Sequence, residues 1–390
     1  MTALSFGYVA ALLTTVALYW LVPPRWRGLA LIAGTFAFLL AADWRSAVIL
    51  SVFALISWEA ARRQVSNRIA IPVAITGVLL VLASYKVRIA ADQADLIRDL
   101  AIPLGLSYYS FRIVHYMIER RRGTLPEHGL SDYLAYLFFL PTLLVGPINR
   151  FPEFMTGRRH GRWSTANLSW GAERILFGYF KIAVLANFVL SNLAAQQIGA
   201  LGPDLRPLML YLEGARGALT LYMLFSGYSD IAIGFARMMG FPVMENFNWP
   251  FLKKSIPEFW RAWHISLTTW SREYVFMRVL GGTRQPILAT IASLLVIGLW
   301  HEISPRYILW GLYHGIGVAA SIQIQNWWRR RRGIKRKPGK RGASQTHPLL
   351  AVLGIWGTAS WFFMGHVLVH APSLRQGFIF WREILFDWWI

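Results

Sequence analysis

Apolar residues recur along the chain in runs at 4–22, 29–42, 46–58, 69–84, 100–118, 131–148, 174–193, 207–236, 286–300, 307–325 and 349–370, with a weaker run at 377–390. Roughly 20 apolar residues cross a bilayer as a helix. The pattern therefore predicts an all-α polytopic membrane protein with about ten or eleven membrane segments, re-entrant ones included. Met1–Ser5 carries no basic residue, so the first run reads as a retained span. Several runs are short or broken by Pro, which a membrane tolerates only where protein or a wet cavity satisfies the freed backbone groups.

The polar residues between the runs supply the topology. Basic clusters alternate with sparser loops, and the positive-inside rule then places the amino terminus outside. Run 131–148 breaks the alternation, because Arg120–Arg122 precede it and Arg158, Arg159 and Arg162 follow it. Pro141 and the Gly146-Pro147 pair divide this run, and a re-entrant segment reconciles its apolarity with its flanks. Trp327–His347 is basic, rich in Gly, Pro and Ser, and reads as a cytoplasmic loop. The chain divides into N-terminal membrane helices (1–99), a core (100–325), the basic loop (326–347) and C-terminal membrane segments (348–390). No internal repeat stands out, which counts against a transporter built from two related halves.

Composition narrows the class. Hydrophobic residues make up 55% of the 390 and charged residues 15%, which excludes disorder and makes a soluble enzyme a poor fit. Cysteine is absent, which removes disulfide scaffolds and thiolate metal sites. The net charge is +21, and nine of the basic residues lie between Arg329 and Arg341. In so apolar a chain this reads as topology and attraction to anionic lipid, not as nucleic-acid binding.

The densest polar cluster runs from Glu245 through Asn246, Asn248 and Trp249 to Tyr274. Ser255 and Glu258 form a capping-box pattern, and the spacing predicts one helix on which Trp260, Arg261, His264 and Leu267 share a face. Such a face fits an interfacial amphipathic helix as well as a site. Ile287–Trp300 is apolar and ends in Trp300-His301-Glu302, so an imidazole stands at the end of an uncharged run. Ionisable groups in such positions are functional candidates, although a neutral, hydrogen-bonded His301 is the plain alternative. His314 reads as a packing residue, and Gly311, Gly315 and Gly317 as close helix packing. Asp230 in its apolar run needs a partner, and Arg237, seven residues on, is the candidate beside a substrate contact. His301-Glu302 is no zincin pair, since Pro305 occupies the second histidine's position, and no metal site is indicated. No G-x-S-x-G elbow or dinucleotide fingerprint is complete either.

The order FFLPTLLVGPINRF (138–151), FSGYSDIAIGFARMMGF (225–241), ENFNWPF (245–251), FWRAWHISLTTWSREYVF (259–276), GLWHE (298–302) and WGLYHG (310–315) resembles the membrane-bound O-acyltransferases. Within them it is similar to the bacterial branch of alginate O-acetylases and teichoic-acid D-alanyltransferases. The resemblance covers roughly residues 100–320. It implies a catalytic core around a central tunnel, with the family's two active-site histidines at His301 and His264. Glu302 stands where the family usually has Gly, which puts the local backbone conformation in question. The resemblance further implies transfer of an acyl group, acetyl first and D-alanyl as the alternative, from a cytoplasmic thioester (acetyl-CoA or an acyl-carrier protein) to a hydroxyl of an extracytoplasmic glycan. No bound cofactor is expected.

In that reading His301 is the general base and His264 positions or polarises the donor. Trp260, Trp263, Trp300, Asn246 and Asn248 shape the tunnel, Arg261 faces the donor phosphate, and Glu245 or Asp230 fixes an orientation. An extracytoplasmic acyl-relay partner is also implied. The basic loop holds anionic lipid or docks an acidic carrier. A transporter or flippase using His264, His301 and Asp230 as a proton relay is the rival from another class, and a non-catalytic scaffold is the third reading.

Overall fold

A computed structural model describes residues 6–63, 69–90, 103–331, 333 and 347–387, and the described residues are helical with no strand. Most of the basic loop, Arg332 and 334–346, lies outside the described residues, as does the whole stretch 91–102. Pro24–Arg63, Ala70–Val87, Thr165–Gly199, Pro203–Met238 and Pro348–His370 are long and apolar enough to cross a membrane, and Phe6–Leu21 and Pro286–His301 are shorter apolar helices. This is fewer than the ten or eleven segments expected. Part of the difference arises because 29–42 and 46–58 run on within the single stretch Arg27–Arg63, which is two helices meeting at a kink. Its ladder breaks at Asp43 (φ −165°, ψ 95°), whose carboxylate accepts from the Arg45 amide at 3.2 Å and from the Ser46 hydroxyl.

The chain forms two compact units. The first is built from Met1–Val184 and Leu224–Glu245. It contains α1 (Phe6–Leu21), α2 (Arg27–Arg63), α3 (Ala70–Ala90), α4 (Leu106–Arg122), α5 (Leu130–Leu137), α6 (Phe151–His160), α7 (Thr165–Phe180) and the second half of α8 (Arg206–Met238). Run 131–148 is not one helix: after α5 come a 3-10 turn at Leu140–Thr142 and a non-helical stretch to Arg150, nearly all of it buried. The freed carbonyls have partners from several helices. Arg112 of α4, fully buried, donates to the Tyr136 and Leu137 carbonyls at 3.2 Å each and to the carbonyl and hydroxyl of Thr142. Thr35 donates to Phe138 O at 2.5 Å, Tyr8 to Leu140 O at 3.3 Å and Tyr136 to Asn149 O at 2.9 Å. Such side-chain partners for freed carbonyls are what let broken backbone be buried.

α7 and α8 meet along a glycine seam. A Cβ on Gly178 would lie 2.7 Å from Gly227 O, and one on Gly171 would lie 2.7 Å from Gly234 O. Both helices thus carry glycines seven residues apart, and the backbones approach closely there. The same register sets the side chains one turn further along each helix against one another.

The second unit, Leu185–Met223 and Asn246–Ile390, contains the first half of α8, then α9 (Ile256–Trp260), α10 (Ile265–Ser271), α11 (Met277–Thr283), α12 (Pro286–His301), α13 (Pro305–Arg331), α14 (Pro348–His370) and α15 (Leu374–Phe386). α12 and α13 form a hairpin packed through small residues. A Cβ on Gly311 would meet Leu295 Cα at 2.8 Å, and one on Gly315 would meet Ile291 Cα at 2.9 Å. Gly317 admits the Trp361 ring at 2.4 Å from where its Cβ would be, so all three glycines serve the close packing expected of them.

Candidate active site

The single helix predicted from Ser255 onward is interrupted. α9 ends at Trp260, and His264 stands in the left-handed region (φ 43°, ψ 56°) as the N-cap of α10. The cause is a tertiary bracket that helical spacing does not reveal. The Ile265 amide donates to Asn246 O at 2.9 Å, the Asn248 amide to Ala262 O at 3.0 Å, and Ser266 donates to Asn246 Oδ1 through its hydroxyl (2.6 Å) and its amide (3.3 Å). Segment 246–248 therefore takes the backbone groups a continuous helix would have paired. The capping box does not close either: Ser255 makes no side-chain cap bond, and Glu258 accepts from the Lys254 amide at 3.3 Å. Three non-glycine residues have positive φ among the described residues, Trp249, His264 and Arg284, and two of them flank this bracket. Strained backbone of this kind persists where surrounding structure over-determines it.

As a consequence Arg261 and His264 do not share a face. Arg261 is exposed, whereas His264 is 3% exposed. His264 lies instead against the end of α12, with its ring centroid 6.0 Å from that of Trp300, which is 4.6 Å from His301. Burial, and then the neighbouring His301, lower the pKa of His264 well below the ordinary imidazole value, so it is neutral at physiological pH.

His301 is not deep in an apolar run. It is the last residue of α12 and is exposed, with its ring stacked on Tyr307 (5.6 Å, 26°) and edge-on to Trp310 (5.6 Å, 80°). Glu302 ends the helix at φ −162°, ψ 139°, an extended conformation open to any residue, so glycine is not needed there. Tyr307 and Trp310 were not singled out by sequence reasoning. Their offsets of six and nine from His301 become contacts only through the turn at Ser304-Pro305 that folds α13 back.

The aromatic wall continues to His314, which is wholly buried 4.6 Å from Trp310 and 5.2 Å from Trp260. Both His314 ring nitrogens and Trp260 Nε1 lack a hydrogen-bond partner among the described residues. Trp263 stacks on Phe259 (5.5 Å, 16°) and packs 4.7 Å from Phe362, within the aromatic core of the unit. Asn246 is fully buried in the bracket, and Asn248 is exposed. The arrangement thus offers one reachable imidazole beside one buried, neutral imidazole. That pairing can take a proton from a hydroxyl while presenting a second nitrogen to a polar group close by.

Asp230 and Glu245 belong to the first unit and are joined there by Arg174. Asp230 Oδ1 accepts from Arg174 Nε at 2.7 Å, Oδ2 accepts from Lys181 Nζ at 2.6 Å, and Glu245 Oε2 accepts from Arg174 Nη2 at 2.5 Å. Arg237 is not the partner of Asp230. Seven residues of helix span about 10 Å, too far for that pair, whereas the glycine seam brings Arg174 and Lys181 across from α7 and its continuation.

The family model for the membrane-bound O-acyltransferases matches residues 101–337, which takes in the bracket, both histidines and the α12–α13 hairpin. The chain belongs to that family. It is 37% identical over 232 residues to a probable alginate O-acetylase AlgI of Pseudomonas aeruginosa, covering 58% of this chain and 44% of the relative. It is 33% identical over 258 residues to a teichoic acid D-alanyltransferase of Streptococcus thermophilus, covering 61% and 60%. It is 31% identical over 256 residues to a peptidoglycan O-acetyltransferase of Helicobacter pylori, covering 56% and 47%. The chain thus spans between about two fifths and two thirds of the length of the relatives it matches.

Proposed function

We propose that this chain transfers an acyl group, acetyl in the first reading, from a cytoplasmic thioester to a hydroxyl of an extracytoplasmic glycan. The observation that carries the reading is the reachable His301 imidazole at the end of α12, backed by the buried, neutral His264. The names of the three relatives pair acyl groups with alginate, teichoic acid and peptidoglycan, and they support an envelope or extracellular polymer as acceptor.

In this mechanism His301 takes the proton of the acceptor hydroxyl as its oxygen forms a bond to the thioester carbonyl carbon. The carbon–sulfur bond then breaks, and the proton passes from the imidazolium to the leaving thiolate. Such general-base catalysis is worth about 10²–10⁴ in rate. His264, held by the Asn246 bracket, orients the donor carbonyl, and Trp260 and Trp300 line the approach. No cysteine is present to carry the acyl group, which favours direct transfer in one ternary complex.

The test incubates the purified chain in lipid with radiolabelled acetyl-CoA, and separately with a D-alanyl-loaded carrier protein, alongside His301→Ala. His301-dependent release of label from acetyl-CoA is the expected result. Release from the carrier alone moves the protein to D-alanyl transfer. Equal release by His301→Ala refutes the assignment of the base.

A further inference from the structure

The first unit holds cavities that no histidine lines. Two of about 310 Å³ each share Trp170 as a wall. One is floored by Arg174, Lys181 and Asp230, and the other runs along Ile233, Arg237 and the turn Phe241–Glu245. The glycine seam explains why charge collects here. Arg174 and Lys181 each lie three residues beyond a seam glycine of α7, as Asp230 does on α8, so all three face the same gap. Lys181 also opens a π-helical stretch, Lys181–Ala194, a departure from α geometry that is frequent at functional sites.

The pairings leave one cation over. Asp230 and Glu245 are engaged by Arg174 and Lys181. Arg237 has no carboxylate partner among the described residues, and it is exposed. It is nevertheless held in place: its guanidinium lies 5.7 Å from the Trp170 ring centroid, and Arg174 lies 5.4 Å from the same ring. A guanidinium fixed on an indole keeps its N–H fork pointed at a cavity with little rotamer entropy left to lose. Glu173 and Glu153 line the cavities as well. They disfavour a polyanion and suit a ligand with one negative charge and hydroxyl, amide or amine donors beside it.

We infer that this cleft binds a phosphodiester, with Arg237 as the phosphate contact and Trp170 as the wall against which the attached group packs. Two sources share that chemistry: the headgroup of an anionic phospholipid, and a phosphopantetheine arm carried on a protein serine. The binding inference stands on the cleft alone, and only the second source rests on the acyl-transfer reading above, in its carrier-protein alternative. The several phosphates of free CoA fit the acidic rim less well.

The experiment uses the full chain in zwitterionic-lipid nanodiscs. One arm measures binding of a phosphopantetheinyl-serine peptide by thermophoresis, and the other counts phosphatidylglycerol molecules retained in native mass spectra. Arg237→Gln is expected to weaken one of them at least tenfold, Arg237→Lys to be intermediate, and Arg278→Gln, an exposed arginine of the second unit, to match the parent. Val243→Trp, which fills the second cavity and leaves Arg237 in place, is expected to give the same loss and guards against an effect of Arg237 on folding. Loss in the peptide arm identifies the donor arm as ligand, and loss in the lipid arm identifies the headgroup. Parent-like values in both arms for Arg237→Gln and Val243→Trp overturn the inference. His301→Ala is expected to bind both probes normally, so failure of the catalytic reading is distinguishable from failure of this one.

Discussion

Replacing Asn246 by alanine tests whether the side-chain bonds of the bracket, rather than helix geometry, hold His264 in its place. Asn246 is fully buried, and its Oδ1 accepts two bonds from Ser266, at 2.6 Å and 3.3 Å. Each bond is worth about 1 kcal/mol net, so Asn246→Ala costs about 2 kcal/mol at the point where His264 is held at φ 43°. Relaxation from the left-handed region gains about 1–2 kcal/mol for a residue with a Cβ, so His264 is expected to leave its place once the bracket weakens. Where the whole 2 kcal/mol falls on transition-state geometry, turnover drops about 30-fold. Ser266→Ala removes only the hydroxyl bond, about 1 kcal/mol, and is expected to cost about fivefold. The double variant is expected to be no worse than Asn246→Ala, because both delete the same contact. The assay is His301-dependent release of label from the thioester at saturating donor, with the melting temperature in detergent followed in parallel. Turnover within threefold of the parent for Asn246→Ala, at unchanged melting temperature, refutes the Asn246 side chain as a part of the bracket that positions His264.

Three further outcomes follow from the same geometry. His264→Gly is expected to be more stable than His264→Ala by about 1 kcal/mol, since only glycine occupies φ 43° without cost, and the difference is read from melting curves of two variants that both lack the imidazole. Arg112→Met is expected to lower stability by about 3 kcal/mol or more, seen as lost folded yield and early proteolysis near Pro141, because it strips donors from the Tyr136, Leu137 and Thr142 carbonyls; Arg112→Lys recovers part of this, as one ammonium cannot reproduce the fork. Glu302→Gly is expected to leave thioester turnover within a few-fold of the parent, because the extended conformation at 302 asks nothing of glycine.

What the sequence disclosed and what it hid divide along one physical line. Signals carried by a single element were legible: the apolar runs, the break at Pro141, and the small residues at 311, 315 and 317 where helices touch. Signals that depend on a second element were not. Nothing between Arg261 and His264 is a helix breaker, so spacing alone joins Trp260 to His264; the interruption is made by Asn246 and Asn248, some 15 residues upstream, which bond the 262–266 backbone. The need of Asp230 for a cation was readable from its apolar surroundings, yet the nearest cation in sequence on its own helix was the wrong choice, because two turns of helix separate what a glycine seam can bring together. That seam was itself written in the sequence, as Gly171 and Gly178 facing Gly227 and Gly234, each pair seven apart. Glycine spacing on consecutive apolar runs fixes which faces meet, and which faces meet decides where buried charge finds its partner. His301 shows the same dependence. Its reach into open space follows from the extended residue after it, a property of the α12–α13 turn that the apolarity of the preceding run conceals.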